Sequence, residues 1–312
     1  MKIEASAPSN IALIKYMGKS SATSNLPANP SLSYTLENLR TFVTVEPSTG
    51  EDSWESLPGF QPMELSEIGL KKFLEHFARL KVEFGVHGFH KIRSANNFPS
   101  DCGLASSASS YAALTKATWE LAVKTNAVAA RDENAHDLSA LSRAGSGSSC
   151  RSFFSPWSIW RGPGADKVDL NLRLLHAVVL VEDQKKTVSS SQAHQRIQSS
   201  LLFTQRPERA ALRLEELLPA LRDGHWESAF EICWNEFFDM HAMFETSRPS
   251  FGYIGHETLS VIHRMRKEWE EREDGPLITL DAGPNVHVLY REDQIDLAER
   301  QMHGLKAIKS WG

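Results

Sequence analysis

Pro99-Ser-Asp-Cys-Gly-Leu-Ala-Ser-Ser-Ala-Ser109 is the most informative stretch of this 312-residue chain. The alanine- and leucine-rich segment Leu104–Val123 predicts a helix. The quoted stretch therefore places glycine and small hydroxyl residues where a loop enters that helix. Such a helix start directs unpaired backbone N–H groups and a positive dipole end at one point, which suits a phosphate group. A plain serine cap before an alanine-rich helix explains the spacing about equally well. The stretch is not a Walker A motif, because Gly-Lys-Ser/Thr is missing from it.

On both sides of this stretch, periodicity predicts strands first and helices later. The predicted elements are extended structure over residues 1–46, a helix over Glu64–Phe84, a strand over Val86–Arg93, a helix over Asp137–Arg143, strands over Trp157–Trp160 and Leu174–Val181, four helical segments over residues 188–271, and a strand, glycine turn, strand and helix from Leu277 to Leu305. The composition changes near residue 185. We therefore predict an α+β fold with domains at residues 1–185 and 186–312.

The bulk composition narrows the classes of function. Apolar residues make up 41% and charged residues 23% of the chain, which is typical of a globular protein. A net charge of −5 gives no basic footprint for nucleic acid or anionic lipid. Three widely spaced cysteines argue against a disulfide framework and favour a reducing cytoplasm. The sequence predicts no signal peptide and no membrane span.

Three further stretches carry candidate chemistry. Gly145-Ser-Gly-Ser-Ser-Cys-Arg151 could form a second anion nest with a guanidinium fork, although a flexible linker with a surface arginine is the simpler interpretation. Lys15 interrupts an apolar strand within Asn10–Lys19, which is costly unless it meets an anion, and a snorkelling edge lysine is the alternative. Asp281-Ala-Gly-Pro-Asn285 ends a predicted buried strand with an acid, which is either a catalytic carboxylate or a turn residue.

The order of these motifs resembles that of the GHMP kinases, whose phosphate loop reads Pro-x-x-x-Gly-Leu-x-Ser-Ser-Ala. Within that superfamily the motifs fit the mevalonate-diphosphate decarboxylase family best, because Asn10–Lys19 differs from the family's N-terminal motif only in Met17, where the family has tryptophan. Further segments match in order at Leu26–Asn29, Ser31–Leu36, Asn96–Pro99, Gly145–Ser152, Val188–Ser190, Met240–Ala242 and Asp281–Asn285.

The resemblance implies a GHMP kinase fold. It has an N-terminal domain like domain 2 of ribosomal protein S5, a C-terminal ferredoxin-like α/β sandwich and a cleft between them. The implied activity is the ATP- and Mg²⁺-dependent decarboxylation of (R)-5-diphosphomevalonate to isopentenyl diphosphate in the mevalonate pathway of isoprenoid biosynthesis. The implied partner is a phosphorylated mevalonate, with neither nucleic acid nor membrane, and the implied state is a cytoplasmic homodimer.

Family roles carry over to matching positions. Asp281 corresponds to the aspartate beside the C3 hydroxyl, Arg151 to the arginine that holds the C1 carboxylate, and Lys15 to a catalytic substrate contact. The implied substrate-binding residues are Asn10, Tyr16, Lys19, Ser146, Ser148, Ser190 and Ser191. The implied ATP-binding residues are Pro99, Gly103, Leu104, Ala105, Ser106, Ser107 and Ala108, with Ser107 also reaching Mg²⁺ on the nucleotide.

The chain departs from the family pattern in ways that leave alternatives open. Asp101 places an acid beside the phosphate loop, and Ser155-Pro156 replaces a glycine pair. Where the family has an arginine that contacts the substrate diphosphate, this chain has Ile68. Lys71 or Lys72, one helical turn later, is the candidate replacement. Without a replacement, the enzyme would be a phosphomevalonate decarboxylase that gives isopentenyl phosphate. A mevalonate 3-kinase-like enzyme and a non-catalytic GHMP-fold sensor are the remaining alternatives.

Overall fold

Two long antiparallel strands open the chain and organise its first half. A computed structural model describes residues 1–20, 25–99, 106–127, 134–181 and 188–311. Strand β1 (Ile3–Ile14) pairs with β2 (Ser31–Ser48), and the register shifts near Pro8/Ser9 and Ala12/Ile14. Such bulges bend a strand and redirect its end. Lys15 follows the last residue of β1, so the prediction that it lies inside the strand was wrong by one position.

The first sheet grows outward from β2. Its other strands are β3 (Ser53–Ser56), β4 (Phe89–Asn96), β5 (Trp157–Trp160) and β6 (Ala165–Lys167). The order is β3-β4-β2-β5-β6, with β1 paired to β2 off this path. β3 and β4 run parallel, and the other pairs are antiparallel.

Helices cover one face of this sheet. They are α1 (Glu67–Glu83), α2 (Ser106–Lys124), α3 (Ala135–Arg143) and a short 3-10 helix at Gly147–Phe153. Small buried side chains such as Ala112, Ala113 and Ala117 let α2 lie close against β1 and β2. The first turn of α2 is thereby placed beside the 3-10 helix.

The second half builds an antiparallel sheet with helices packed against it. The order is β10-β7-β9-β8, formed by β7 (Leu174–Val179), β8 (Leu277–Thr279), β9 (Val286–Arg291) and β10 (Ala307–Lys309). The helices are α4 (Ser190–Arg196), α5 (Arg206–Asp223), α6 (Trp226–Glu245), α7 (His256–Arg272) and α8 (Ile295–Met302), with 3-10 turns at Ile197–Ser199 and Glu292–Gln294. Strand β7 precedes residue 185, so the second sheet draws on residues from both sides of the predicted boundary, which itself stays a prediction.

The largest hydrophobic cluster spans the two halves. Ile11 and Trp157 of the first sheet belong to the same buried cluster as Val178 and Val288 of the second sheet and Phe230 of α6. A continuous core fixes the halves against each other, because packed interiors deform little. The predicted α+β class is confirmed. None of the helices among the described residues has the length and apolar character needed to cross a membrane.

Candidate active site

A cleft of about 550 Å³ opens where the halves meet. The end of β1, the start of α2, the 3-10 helix, α4 and the turn after β8 all contribute to its wall. Ten residues predicted from the sequence line it: Lys15, Tyr16, Lys19, Ser107, Ser146, Ser148, Arg151, Ser190, Ser191 and Asp281. Stretches far apart in the sequence therefore converge on one space.

The centre of the cleft holds a lysine–aspartate pair. Lys15 Nζ lies 2.7 Å from Asp281 Oδ1, and the lysine side chain is 2% exposed while the aspartate is 27% exposed. A buried ammonium is tolerated only beside an anion. Asp281 thus satisfies the lysine and still presents carboxylate surface to the cleft.

The pair keeps Asp281 ionised. Burial alone would raise the pKa of Asp281, but Lys15 and other nearby positive groups, including Arg151, hold it below its ordinary value. Burial lowers the pKa of Lys15, and the charges of Asp281 and Glu236 oppose that shift. An ionised Asp281 accepts hydrogen bonds and favours positive charge nearby.

The backbone of Lys15 is clamped from the second half of the chain. Glu236 Oε1 accepts from the Lys15 N–H at 2.9 Å, and Arg206 Nη2 donates to the Lys15 carbonyl at 3.1 Å. Asn29 donates to the same carbonyl at 2.9 Å. Arg206 and Glu236 also pair directly, and both are 0% exposed. Arg206 Nη1 also pairs with Asp239 at 2.8 Å. A buried ionic network of α5 and α6 therefore supports Lys15, which in turn pairs with Asp281.

Arg151 is aimed into the cleft by two hydrogen bonds. Its Nε donates to Asn10 Oδ1 at 3.2 Å and its Nη1 to Ser31 Oγ at 2.9 Å. Asn10 is fixed in turn by its own donation to Ser152 Oγ at 2.9 Å. The guanidinium also lies 5.8 Å from the centre of the Trp160 ring. Arg151 lines the cleft although it is only 4% exposed, which suits recognition of a small anion.

The start of α2 forms another wall. Ser107 lies in its first turn, is exposed, and has its Oγ 3.4 Å from Ser146 Oγ of the glycine–serine stretch. The first turn of α2 carries no acidic side chain that would oppose an anion. A Cβ at Gly147 would lie 2.7 Å from the Tyr16 ring, so glycine is needed there for close approach.

A second cationic region lies along α1 and the segment after β1. Lys19 Nζ donates to Asn25 Oδ1 at 2.6 Å, and burial together with Lys72 lowers the pKa of Lys19. Lys72 lines the cleft, whereas Lys71 does not and Ile68 is 69% exposed. Of the two lysines considered as replacements for the family arginine, the structure therefore brings Lys72 to the site.

Several predicted residues lie elsewhere. Asn10 is 1% exposed and stands behind Arg151, outside the cleft lining. Pro99, Ser106 and Ala108 are described but do not line the cleft. Gly103, Leu104 and Ala105, like Asp101, lie outside the described residues. Their predicted roles stay predictions.

The sequence did not reveal the residues that position the side chains of the cleft. Glu236, Arg206 and Ser31 make the contacts described above, and His194 lines the cleft beside Tyr16 with ring centres 4.5 Å apart. Glu236 carries a detectable signal, because it is an acid on the buried face of the apolar segment Trp226–Glu245. Arg206, Ser31 and His194 have no comparable signal, since their partners are distant in sequence.

The described residues fit a magnesium ion that enters with a nucleotide rather than a preformed metal cage. They contain no cluster of three or more histidine, cysteine, aspartate or glutamate side chains placed to hold a metal. Magnesium commonly binds through substrate phosphates, water and few protein ligands. The exposed Ser107 hydroxyl beside the start of α2 suits that arrangement.

The chain is similar to known proteins over most of its length. The chain matches the diphosphomevalonate decarboxylase-like N-terminal domain over residues 7–169 and the mevalonate 5-diphosphate decarboxylase C-terminal domain over residues 176–308. It is 33% identical to a diphosphomevalonate decarboxylase of Gibberella zeae, over 93% of this chain and 81% of the relative.

Solved structures show the same relationship. A mevalonate diphosphate decarboxylase from Legionella pneumophila is 44% identical, with a TM-score of 0.92 over 99% of this chain and 100% of that chain. MDDEF in complex with MVAPP, AMPPCP and magnesium is 28% identical, with a TM-score of 0.86 over 99% of this chain and 96% of that chain. The predicted GHMP kinase fold is confirmed, and the chain belongs to the diphosphomevalonate decarboxylase family.

Proposed function

We propose that the protein catalyses the ATP-dependent decarboxylation of (R)-5-diphosphomevalonate to isopentenyl diphosphate, ADP, phosphate and carbon dioxide. The observation that carries this proposal is the convergence of Asp281, paired with buried Lys15, and Arg151 on one cleft. The reaction needs an anion at the tertiary alcohol and a cation at the carboxylate, and the cleft offers both. This reaction supplies isoprenoid biosynthesis through the mevalonate pathway.

Arg151 binds the C1 carboxylate in this proposal. Asn10 and Ser31 occupy Nε and Nη1, which leaves Nη2 without a hydrogen-bond partner among the described residues. Because the two occupied nitrogens fix the plane of the guanidinium, Nη2 is oriented before substrate arrives. Ser146 and Ser148 line the same wall and supply hydroxyl donors to the substrate.

Asp281 accepts a hydrogen bond from the C3 hydroxyl. Its lowered pKa makes it a weak base, so its main contribution is to orient the hydroxyl oxygen towards the γ-phosphorus and to take up the proton as the new O–P bond forms. The bond from the γ-phosphorus to the β,γ-bridging oxygen breaks, and ADP leaves. Lys15 keeps the carboxylate in place through this step.

The nucleotide phosphates lie at the start of α2. Its unpaired N–H groups, Ser107 and Ser146 form an anion-binding wall next to the catalytic pair. When bound, Mg²⁺ neutralises phosphate charge, and Ser107 is the described residue best placed to contact it. MDDEF has been solved with AMPPCP and magnesium, which supports the same requirement here.

Decarboxylation follows from the same geometry. The C3–O bond breaks with its electron pair going to phosphate, and C3 acquires positive charge. The departing phosphate takes the proton from Asp281, so the carboxylate is ionised again and stabilises that charge, while the electrons of the C1–C2 bond form the C2=C3 double bond and release carbon dioxide. Arg151 holds the carboxylate through one open nitrogen, which positions the group without the full bidentate grip that would oppose its loss.

The proposal includes the setting of the enzyme. We place it in the cytoplasm as a homodimer, as its family resemblance implies. Sedimentation equilibrium of the purified chain tests the dimer, and cell fractionation tests the location. A monomer across micromolar concentrations would remove the dimer from the proposal without affecting the activity.

An assay with purified chain, MgATP and each of two substrates tests the activity. We expect equal amounts of ADP and carbon dioxide with 5-diphosphomevalonate, at a higher kcat/KM than with 5-phosphomevalonate. Lys72 and Lys19 favour the diphosphate, because they add positive charge at the cleft. Preference for the monophosphate would identify a phosphomevalonate decarboxylase, ADP without carbon dioxide a 3-kinase, and absence of both products a sensor.

A further inference from the structure

His194 has a protonation pattern that its surroundings fix. It lies in α4, is 8% exposed, and lines the cleft next to Ser190 and Ser191. The backbone N–H of Gly18 donates to His194 Nδ1 at 3.0 Å. A backbone N–H can only donate, so Nδ1 is unprotonated, and the neutral ring carries its proton on Nε2.

The Nε2–H group opens into the cleft. No group among the described residues accepts a hydrogen bond from it. His194 is 8% exposed, so part of its side chain retains access to solvent. Because His194 lines the cleft, that access is to the space where substrate binds.

The ring is held still and uncharged. Its plane is tilted by 41° against the Tyr16 ring, at a centre distance of 4.5 Å. Burial, with Lys19 and Arg151, lowers the pKa of His194 to about 3, so the ring is neutral at physiological pH. A rigid neutral donor binds an anion without the cost of desolvating another charge.

The neighbouring charges identify the group that His194 faces. The charge of Lys72 lowers the pKa of Lys19, and the charge of Lys19 lowers the pKa of His194. Neither lysine forms an ion pair with a carboxylate within the described residues, although Glu75 also lines the cleft. A terminal phosphate carries a charge of about −1.5 to −2 near neutral pH and accepts several hydrogen bonds. Two ammonium groups and one N–H donor match that charge and that number of acceptors.

We propose that His194 is a substrate-binding residue that donates from Nε2 to the terminal phosphate of the mevalonate compound, beside Lys19 and Lys72. This inference rests on the proposed function and deepens it. It makes His194 a determinant of substrate choice, because 5-diphosphomevalonate places a second phosphorus at this end of the cleft and 5-phosphomevalonate does not.

Substitution of His194 by asparagine or glutamine tests the contribution of each ring nitrogen separately. His194→Asn retains an acceptor where Nδ1 meets Gly18 and loses the donor at Nε2. His194→Gln retains a donor at the position of Nε2 and loses the contact with Gly18. We expect His194→Asn to raise KM for 5-diphosphomevalonate at least about tenfold, the effect of losing a hydrogen bond to a charged group. We expect His194→Gln to restore most of that loss, and KM for ATP and for 5-phosphomevalonate to stay within about twofold of wild type in both variants.

Steady-state kinetics with both substrates and calorimetric titration of 5-diphosphomevalonate without ATP provide the measurements, with thermal unfolding of each variant as the folding control. An unchanged KM in His194→Asn, an equal loss for both substrates, or a rise confined to ATP would overturn the inference. Calorimetry keeps the two proposals distinct. If wild type binds the substrate but forms no product, the proposed function fails, and weaker binding by His194→Asn still supports the role of His194.

Discussion

Glu236 and Lys15 are joined by a hydrogen bond of 2.9 Å from the Lys15 backbone N–H to Glu236 Oε1, across 221 positions of the sequence. The bond ties the end of β1 to α6. Its consequence is that Lys15 is fixed at its backbone by Glu236 and Arg206 and at its side chain by Asp281. The catalytic carboxylate is therefore positioned by a network that extends well beyond the cleft.

Glu236→Gln should destabilise the protein strongly. The substitution removes a fully buried charge and leaves Arg206 with weaker compensation, so we expect a loss of about 3–5 kcal/mol in the free energy of unfolding. Denaturant unfolding measures it. Glu231→Gln is the control on the same helix, because its pair with Arg266 involves a glutamate that is 45% exposed, and it should cost about 1 kcal/mol or less. Equal losses in the two variants would contradict the account of the network.

Arg151→Lys should impair turnover without unfolding the protein. Lysine keeps the charge but cannot donate to Asn10, Ser31 and the substrate carboxylate in one plane. We expect kcat/KM for the mevalonate substrate to fall about 10²-fold or more, with KM for ATP nearly unchanged. Steady-state kinetics at saturating ATP measures the effect. Arg161→Lys, at an exposed position outside the cleft lining, is the control and should leave kcat/KM unchanged. A loss of less than threefold in Arg151→Lys would argue against the assigned contact.

Lys15→Met should reverse the sign of the contribution that Asp281 makes to the pH dependence of the free energy of unfolding. In wild type the lowered pKa of Asp281 gives stability that is present above the unfolded-state value of about 3.9 and is lost as pH falls through the folded pKa. Without Lys15, burial dominates and raises that pKa, so the native state binds more protons than the unfolded state. The destabilisation caused by Lys15→Met should therefore shrink between pH 7 and pH 4.

Denaturant unfolding across this pH range gives the comparison. The double variant Lys15→Met/Asp281→Asn is the control, because it lacks the carboxylate and should show a constant difference from wild type over that range. If the single variant also differed from wild type by a constant amount, Asp281 would not be coupled to Lys15 as the 2.7 Å contact indicates.

The outline of the fold was predictable because it depends on local patterns. Periodicity located α1, α5, α6 and α7, and the glycine turn after β8 placed Asp281 at a strand end. The pairing of β7 with β9 and β10 was not predictable, since it joins residue 174 to residue 291 and residue 179 to residue 307. Local propensity carries no information about such distant partners.

The site residues, too, were predictable only where they belong to local sequence motifs. Residues in contiguous motifs, such as Ser146, Arg151 and Asp281, could be proposed from the sequence. The clamp on Lys15 could not, because an acid on the buried face of α6 does not reveal its partner and Arg206 carries no signal in the sequence. Lys72 was one of two candidates, and only the direction of α1 distinguishes it from Lys71.

His76 should make the protein less stable at mildly acidic pH. It is 1% exposed, neither ring nitrogen has a hydrogen-bond partner among the described residues, and burial followed by Arg79 lowers its pKa to about 3. The unfolded state binds a proton below about pH 6.5 and the native state does not, so stability falls as pH drops from that value, by up to about 1.4 kcal/mol per pH unit. His76→Phe should reduce this slope.

Unfolding free energies of wild type and His76→Phe between pH 7 and pH 5 provide the measurement. His256→Phe is the matched control, because it removes a histidine that is exposed and not buried. A slope unaltered by His76→Phe would show that this histidine titrates similarly in both states.

The most direct test of the catalytic assignment is carbon dioxide release by Asp281→Asn with MgATP and 5-diphosphomevalonate. Asparagine preserves the size of the side chain but removes its negative charge. That charge pairs with Lys15, orients the alcohol and stabilises positive charge at C3. We predict that the variant binds ATP with nearly wild-type affinity and releases carbon dioxide about 10³-fold more slowly or worse. Release at a rate close to wild type would contradict the account.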